Sequence, residues 1–154
     1  MISRPTTEQL ISAVAAELGS KVAPAVSDPT VKVQLEMAIA VLQTAAVRSG
    51  QELAWMKEER DAIEETARQL VDALPDATAL ADALAAYDNG KSDSLALADA
   101  QADYARASEV LSCAAEAAYA SGEAEHVRAV IRLMDQRHAN QQTVTGQFMA
   151  VGRE

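Results

Sequence analysis

The stretch Asp28-Pro-Thr-Val-Lys-Val-Gln-Leu-Glu-Met-Ala-Ile-Ala-Val-Leu-Gln-Thr-Ala-Ala-Val47 decides how the chain is read. Asp28 and Pro29 form a helix start, because an Asp side chain accepts from the free N–H groups of the first turn and proline has no N–H to leave unsatisfied. Beyond them Val31, Leu35, Ala38, Ile39 and Leu42 recur at three- and four-residue spacing as one apolar stripe. Val33, Met37, Val41 and Val47 make a second stripe, so that Lys32, Glu36 and Gln43 leave only a narrow polar edge. A helix apolar on most of its sides is the most buried helix of its domain.

The same periodicity runs outward in both directions. Ahead of it, Pro5-Thr-Thr-Glu8 opens a helix bearing Leu10, Ile11, Val14, Leu18 and Val22, which ends before Pro24. Behind it, Leu53, Met56, Ile63, Ala67, Leu70 and Leu74 continue the pattern past Gly50. A rod from residue 29 to 74 would be about 69 Å long at 1.5 Å per residue, so it either kinks at Gly50 or has its end covered by a partner. Pro75 and Asp76 start a short helix with Leu80, Leu84 and Tyr87, which Asn89-Gly90 turns. Ser92, Asp93 and Ser94 cap a fourth helix running to Ser121, where Gly122 stops it. The fifth carries Val127, Val130, Ile131, Met134 and His138 on one stripe, and residues 140–154 read as a frayed tail with Phe148 its one large anchor. The fold class is therefore all-α: one helical-bundle domain, 1–154, of four to five helices around a long central one.

Composition agrees. Of 154 residues 34 are alanine, while aromatics make up 3%, which suits helices packed closely through small side chains and not strands. Thirteen basic against 23 acidic residues give a net charge of −10, which repels a phosphate backbone and an anionic bilayer alike, so neither nucleic acid nor a membrane is expected as a partner. No run approaches 18 uninterrupted apolar residues. A single cysteine, Cys113, and no secretory leader lead to the expectation of a cytoplasmic protein.

Motifs that carry chemistry are scarce. Glu123-Ala-Glu-His126 is half of the Glu-x-x-His signature of di-metal carboxylate bundles, but a second copy on another helix is missing. His138 lies about 18 Å further along the same helix, so no metal and no cofactor are expected. Cys113, among small residues with no basic neighbour in sequence, reads as an inert thiol. Trp55 is the one tryptophan, and serves equally as a core or an interface anchor.

Arg4-Pro-Thr-Thr-Glu-Gln-Leu-Ile11, then Val22-Ala-Pro-Ala25 and the alanine-rich helix from Val31 to Val47, resemble a family of short helical bacterial proteins of unknown function. Met37 departs from that pattern, where many relatives have a polar residue. Members are often encoded beside a kinase-like protein resembling aminoglycoside phosphotransferases and beside an acyl-CoA dehydrogenase, and the resemblance implies such enzymes as partners.

Two functional readings follow. One is a non-catalytic accessory or interaction protein, working with a neighbouring metabolic enzyme and homo-oligomeric, with a two-fold dimer through the long helix at Leu53, Trp55, Met56 and Ile63. The other is a bundle that binds an acyl or CoA-linked molecule in a cavity between the second, fourth and fifth helices, oriented by Glu36, Tyr104 or His138. A metal-dependent bundle enzyme built on His126 is a third, remoter reading.

Overall fold

The computed structural model describes residues 4–92 and 94–145. Five α-helices account for nearly all of them, with no strand among the described residues: α1 (Thr7–Glu17), α2 (Pro29–Ala73), α3 (Thr78–Gly90), α4 (Leu97–Ser121) and α5 (Ala124–Thr145). The described chain divides into two compact units. One holds the residues up to Glu52 and from Gln142 on, the other Leu53–Gln141; α2 contributes to both.

The helix ends follow from local chemistry. Thr6 and Gln9 form a reciprocal capping box at α1: Gln9 N–H donates to Thr6 Oγ1 (3.3 Å) and Thr6 N–H to Gln9 Oε1 (3.0 Å). α1 then loosens into a π-helical turn, Leu18–Val22, and a 3-10 turn, Ala23–Ala25, that absorbs Pro24. Asp28 Oδ1 accepts from Thr30 N–H (2.8 Å) and Val31 N–H (3.1 Å), which caps α2 as its sequence requires. Gly50 does not end α2, and the glycine is carried inside the helix. Asn89-Gly90 is likewise not a turn but the last residues of α3, and α3 begins at Thr78, after Pro75 and Asp76. At Gly122 φ is +70°, a left-handed cap that L-residues adopt only with strain. α5 runs on to Thr145, through the first residues assigned to a tail, while Phe148 lies outside the described residues.

The unit from Leu53 to Gln141 has a core drawn from four helices: Ile63, Ala67 and Leu70 of α2, Leu80, Leu84 and Tyr87 of α3, Ala107, Val110, Leu111, Ala114 and Ala118 of α4, and Val130 and Leu133 of α5. Within each helix these positions repeat at three- and four-residue steps, which keeps one stripe inward. Alanines at 67, 107, 114 and 118 are essentially inaccessible and let the helices approach closely. In α5 the inward stripe is turned from the one read in the sequence: Leu133 is buried, whereas Ile131, Met134 and His138 are exposed.

The other unit is built differently. α1 and the first half of α2 run antiparallel, since a Cβ placed on Gly19, just past α1, would lie 3.9 Å from Ile39 Cδ1 and Gly50 lies beneath the Glu8 carboxylate. Ala15 and Ala46 are its only fully buried apolar side chains among the described residues, with Ile11, Leu18, Leu35, Ile39 and Leu42 half-buried around them. Two helices alone have too little facing surface to enclose large side chains.

This contrast predicts where substitutions cost most. Leu80→Ala, in the four-helix core, should lower the free energy of unfolding in urea by about 2–5 kcal/mol. Gly122→Ala should cost about 1 kcal/mol through backbone strain alone.

Candidate functional site

Polar side chains inside the four-helix unit gather at two places, and the first is centred on Asp103. This residue occupies a core position of α4, four before Ala107, yet it is a carboxylate with 0% exposure. Burying a charge is tolerable only with partners. Arg106 Nη2 donates to Asp103 Oδ1 at 2.7 Å, Ser92 N–H donates to Oδ2 at 2.9 Å, and Arg60 Nη1 of α2 stands 3.4 Å from Oδ2. Arg106 also donates to the Gly90 carbonyl at 2.7 Å, and a Cβ at residue 90 would come within 3.1 Å of the Arg106 side chain, which would have to shift by a few tenths of an ångström. Close by, Tyr87 is 1% exposed and its hydroxyl has no hydrogen-bond partner at good geometry. Burial pushes its phenol up to about 12, against the neighbouring Arg60 cation and with Glu64 adding to the effect.

The second cluster surrounds Glu59, 7% exposed. Tyr104 donates its hydroxyl to Glu59 Oε2, Asn140 Nδ2 donates to Oε1 at 2.7 Å, and Arg137 Nε stands 3.8 Å from Oε2. The Arg137 guanidinium lies 4.9 Å over the Tyr104 ring and donates to Ser108 Oγ at 3.1 Å. Burial first, and the bond to Glu59 second, push the Tyr104 phenol up to about 12. Together these contacts join α2, α4 and α5. Each donor and acceptor is directed at a neighbouring helix, so the cluster is a brace.

The remaining motifs are also in structural use. His126 Nδ1 is 3.1 Å from Ser121 Oγ, which itself donates to the Ala118 carbonyl and accepts from Glu123 N–H. The hydrogen-bonded ring closes the α4–α5 corner. No three His, Cys, Asp or Glu side chains come together as a metal site among the described residues. A cleft of about 620 Å³ lies between the Leu74–Leu80 segment and α4, with Cys113, Glu116 and Ser121 on its wall. Burial pushes the Cys113 thiol up, and Glu109 and Glu116 push the same way, which leaves it protonated and a poor nucleophile. Asp76 and Glu116 border the cleft and no basic residue does, an arrangement that suits a CoA phosphate badly.

The residues singled out as ligand-orienting do not line this cleft. Glu36 is exposed on the hairpin unit, His138 is exposed on α5, and Tyr104 is held by Glu59. Those singled out for an interface also divide. Leu53 is exposed, Trp55 and Met56 are half-buried, and Ile63, 2% exposed, packs in its own core and is unavailable to a partner.

Sequence reasoning passed over two residues that matter here. Glu59 sits in the charged run Lys57 to Asp61, which reads as a solvated face. Asp103 did carry a signal: a carboxylate in phase with Ala107, Val110 and Ala114 lies on an inward stripe.

Among the described residues, several exposed apolar side chains lie on α2 in the hairpin unit. Ile39 faces α1, and residues two positions away on a helix are turned by about 200°. Met37 and Val41 therefore face away from α1, and each is 62% exposed, with Val33 at 46%. By length and composition α2 would even pass as a membrane span: an 18-residue window has mean hydropathy 1.2, and 6% of that window is buried.

The two clusters make separable predictions. Asp103→Ala strands Arg60 and should cost about 3–5 kcal/mol in urea unfolding, whereas Asp88→Ala, which breaks the exposed pair with Arg68, should cost no more than about 1 kcal/mol. Tyr104→Phe should cost about 1–2 kcal/mol at neutral pH. Because Tyr104 holds its proton more tightly folded than unfolded, its contribution is full below pH ~10 and is lost as pH rises through about 12. The stability gap between wild type and Tyr104→Phe should accordingly narrow across that window.

Compared with protein-family models, curated proteins and solved structures, the chain matches none, and its own residues carry the functional reading.

Proposed function

We propose that this chain is a non-catalytic interaction protein of the cytoplasm, homo-oligomeric, that serves as an accessory to a metabolic enzyme. The observation that carries the reading is the apolar side of α2, where Val33, Met37 and Val41 stand in solvent on a unit with almost no core of its own. Exposed apolar patches of this kind mark contact surfaces. The polar groups of the four-helix unit support it from the other direction. Glu59, Asp103, Tyr104, Arg106 and Arg137 hold one another and leave no pair free to move a proton to and from a substrate.

The sequence resemblance gives the partner class: a phosphotransferase-like kinase or an acyl-CoA dehydrogenase. Cross-linking in the native host, with a tagged wild-type chain and a tagged Met37→Glu chain, tests this by mass spectrometry. The wild type should carry an enzyme of one of these classes and Met37→Glu should lose it. The same enzyme on both chains, or none on either, would sink the proposal.

A further inference from the structure

We propose that the cleft between the Leu74–Leu80 segment and α4 binds a small primary amine, its ammonium group held by Asp76 and Glu116 and its apolar body laid along the alanines of α4. The site lies wholly within the Leu53–Gln141 unit. It goes beyond the accessory reading above, which rests on the other unit.

Size, wall and charge each narrow the ligand. A volume of about 620 Å³ is that of a small-molecule site. Leu74, Pro75 and Ala77 contribute one apolar side and Ala117 and Ala120 the other, so a short hydrocarbon body is covered. Asp76 and Glu116 are the charged groups of the lining. Neither has a cationic partner among the described residues, whereas Glu64, Asp88 and Asp103 are each held by an arginine. The helix ends add to the sign: α2 and α4 both finish at the cleft, and neither has a basic residue in its last turn to offset the partial negative charge of a C-terminus. α3 begins there without a side-chain cap, but one N-terminus carries only about half a positive charge, which two carboxylates outweigh. Residues 53–141 hold 17 acidic against 8 basic side chains, so nine of the ten net negative charges belong to this unit and draw a cation to it. A hard divalent ion wants about six or more oxygens, and no three His, Cys, Asp or Glu side chains come together among the described residues. An ammonium group has three donors, which two carboxylates can satisfy, and tolerates an apolar wall beside it.

The test is titration of the full chain with phenethylamine at neutral pH, followed through the backbone amide shifts of Ala77, Ala117 and Ala120. The amine should saturate these shifts with a dissociation constant on the order of 1 mM, as suits a ligand of its size. Phenethyl alcohol, neutral and of the same shape, should bind at least about five-fold more weakly, and phenylpropionate not at all. Glu116→Gln and Asp76→Asn should each weaken the amine by about two- to five-fold, while Asp99→Asn, the same change of charge in the first turn of α4, leaves it unaltered. Cys113 is the one thiol of the chain and sits on the cleft wall, so its alkylation with N-ethylmaleimide should abolish binding at unchanged helicity by circular dichroism. The absence of saturable shifts at these amides would overturn the proposal. So would equal binding of amine and alcohol, binding of phenylpropionate in place of the amine, an equal loss in Asp99→Asn, or binding that survives alkylation of Cys113. Each of these outcomes removes the amine site alone; the accessory reading stands or falls on cross-linking in the host.

Discussion

A carboxylate shut away from water has to be met by cations and N–H groups, and Asp103 imposes that requirement on the four-helix unit. Its two oxygens take Arg106 from α4 itself, the Ser92 N–H from the α3–α4 connection and Arg60 from α2. Arg106 then reaches on to the Gly90 carbonyl at the end of α3. The place where α3 stops, the path to α4 and the rotation of α2 are thereby fixed by one charge. An apolar residue at 103 would bury more easily but would leave the connection free to take other paths. Glu59 does similar work for α2, α4 and α5, and here neutral donors, Tyr104 and Asn140, supply most of the contacts.

These braces support the proposed non-catalytic reading, because their polar groups are engaged with one another. A general acid or base has to exchange a proton with something that comes and goes. Tyr104 donates a hydrogen bond to Glu59, His126 Nδ1 is hydrogen-bonded with Ser121 Oγ, and Cys113 is kept protonated by burial and two neighbouring carboxylates. The four-helix unit is a scaffold in which polar residues define geometry.

The hairpin unit stands in contrast. The same alanine-rich composition that lets four helices close around a core leaves two helices with only Ala15 and Ala46 enclosed among the described residues. Valines and a methionine on the far side of α2 remain about half in water, each at a cost of roughly 1–2 kcal/mol relative to full burial.

Local chemistry decided much of this in advance. Three- and four-residue spacing gave the helices, Asp28-Pro29 gave the start of α2, Gly122 gave the end of α4, and Leu80, Leu84 and Tyr87 were already in phase as a core stripe. These features depend on residues within a turn or two of one another, so the order of residues is enough. Which of the two apolar stripes on α2 faces α1 was not legible, because both satisfy the same spacing and only the antiparallel neighbour, through Gly19 and Ile39, chooses between them. The charged run from Lys57 to Asp61 looked uniformly solvated, yet Glu59 is enclosed because α4 and α5 come to lie over it. The division at Glu52 was equally hidden, since Gly50 sits within a continuous helix and nothing in the sequence there announces a boundary. Spacing along the chain fixes which side chains share a face; only the packing of distant helices decides which face is covered and which is left in solvent.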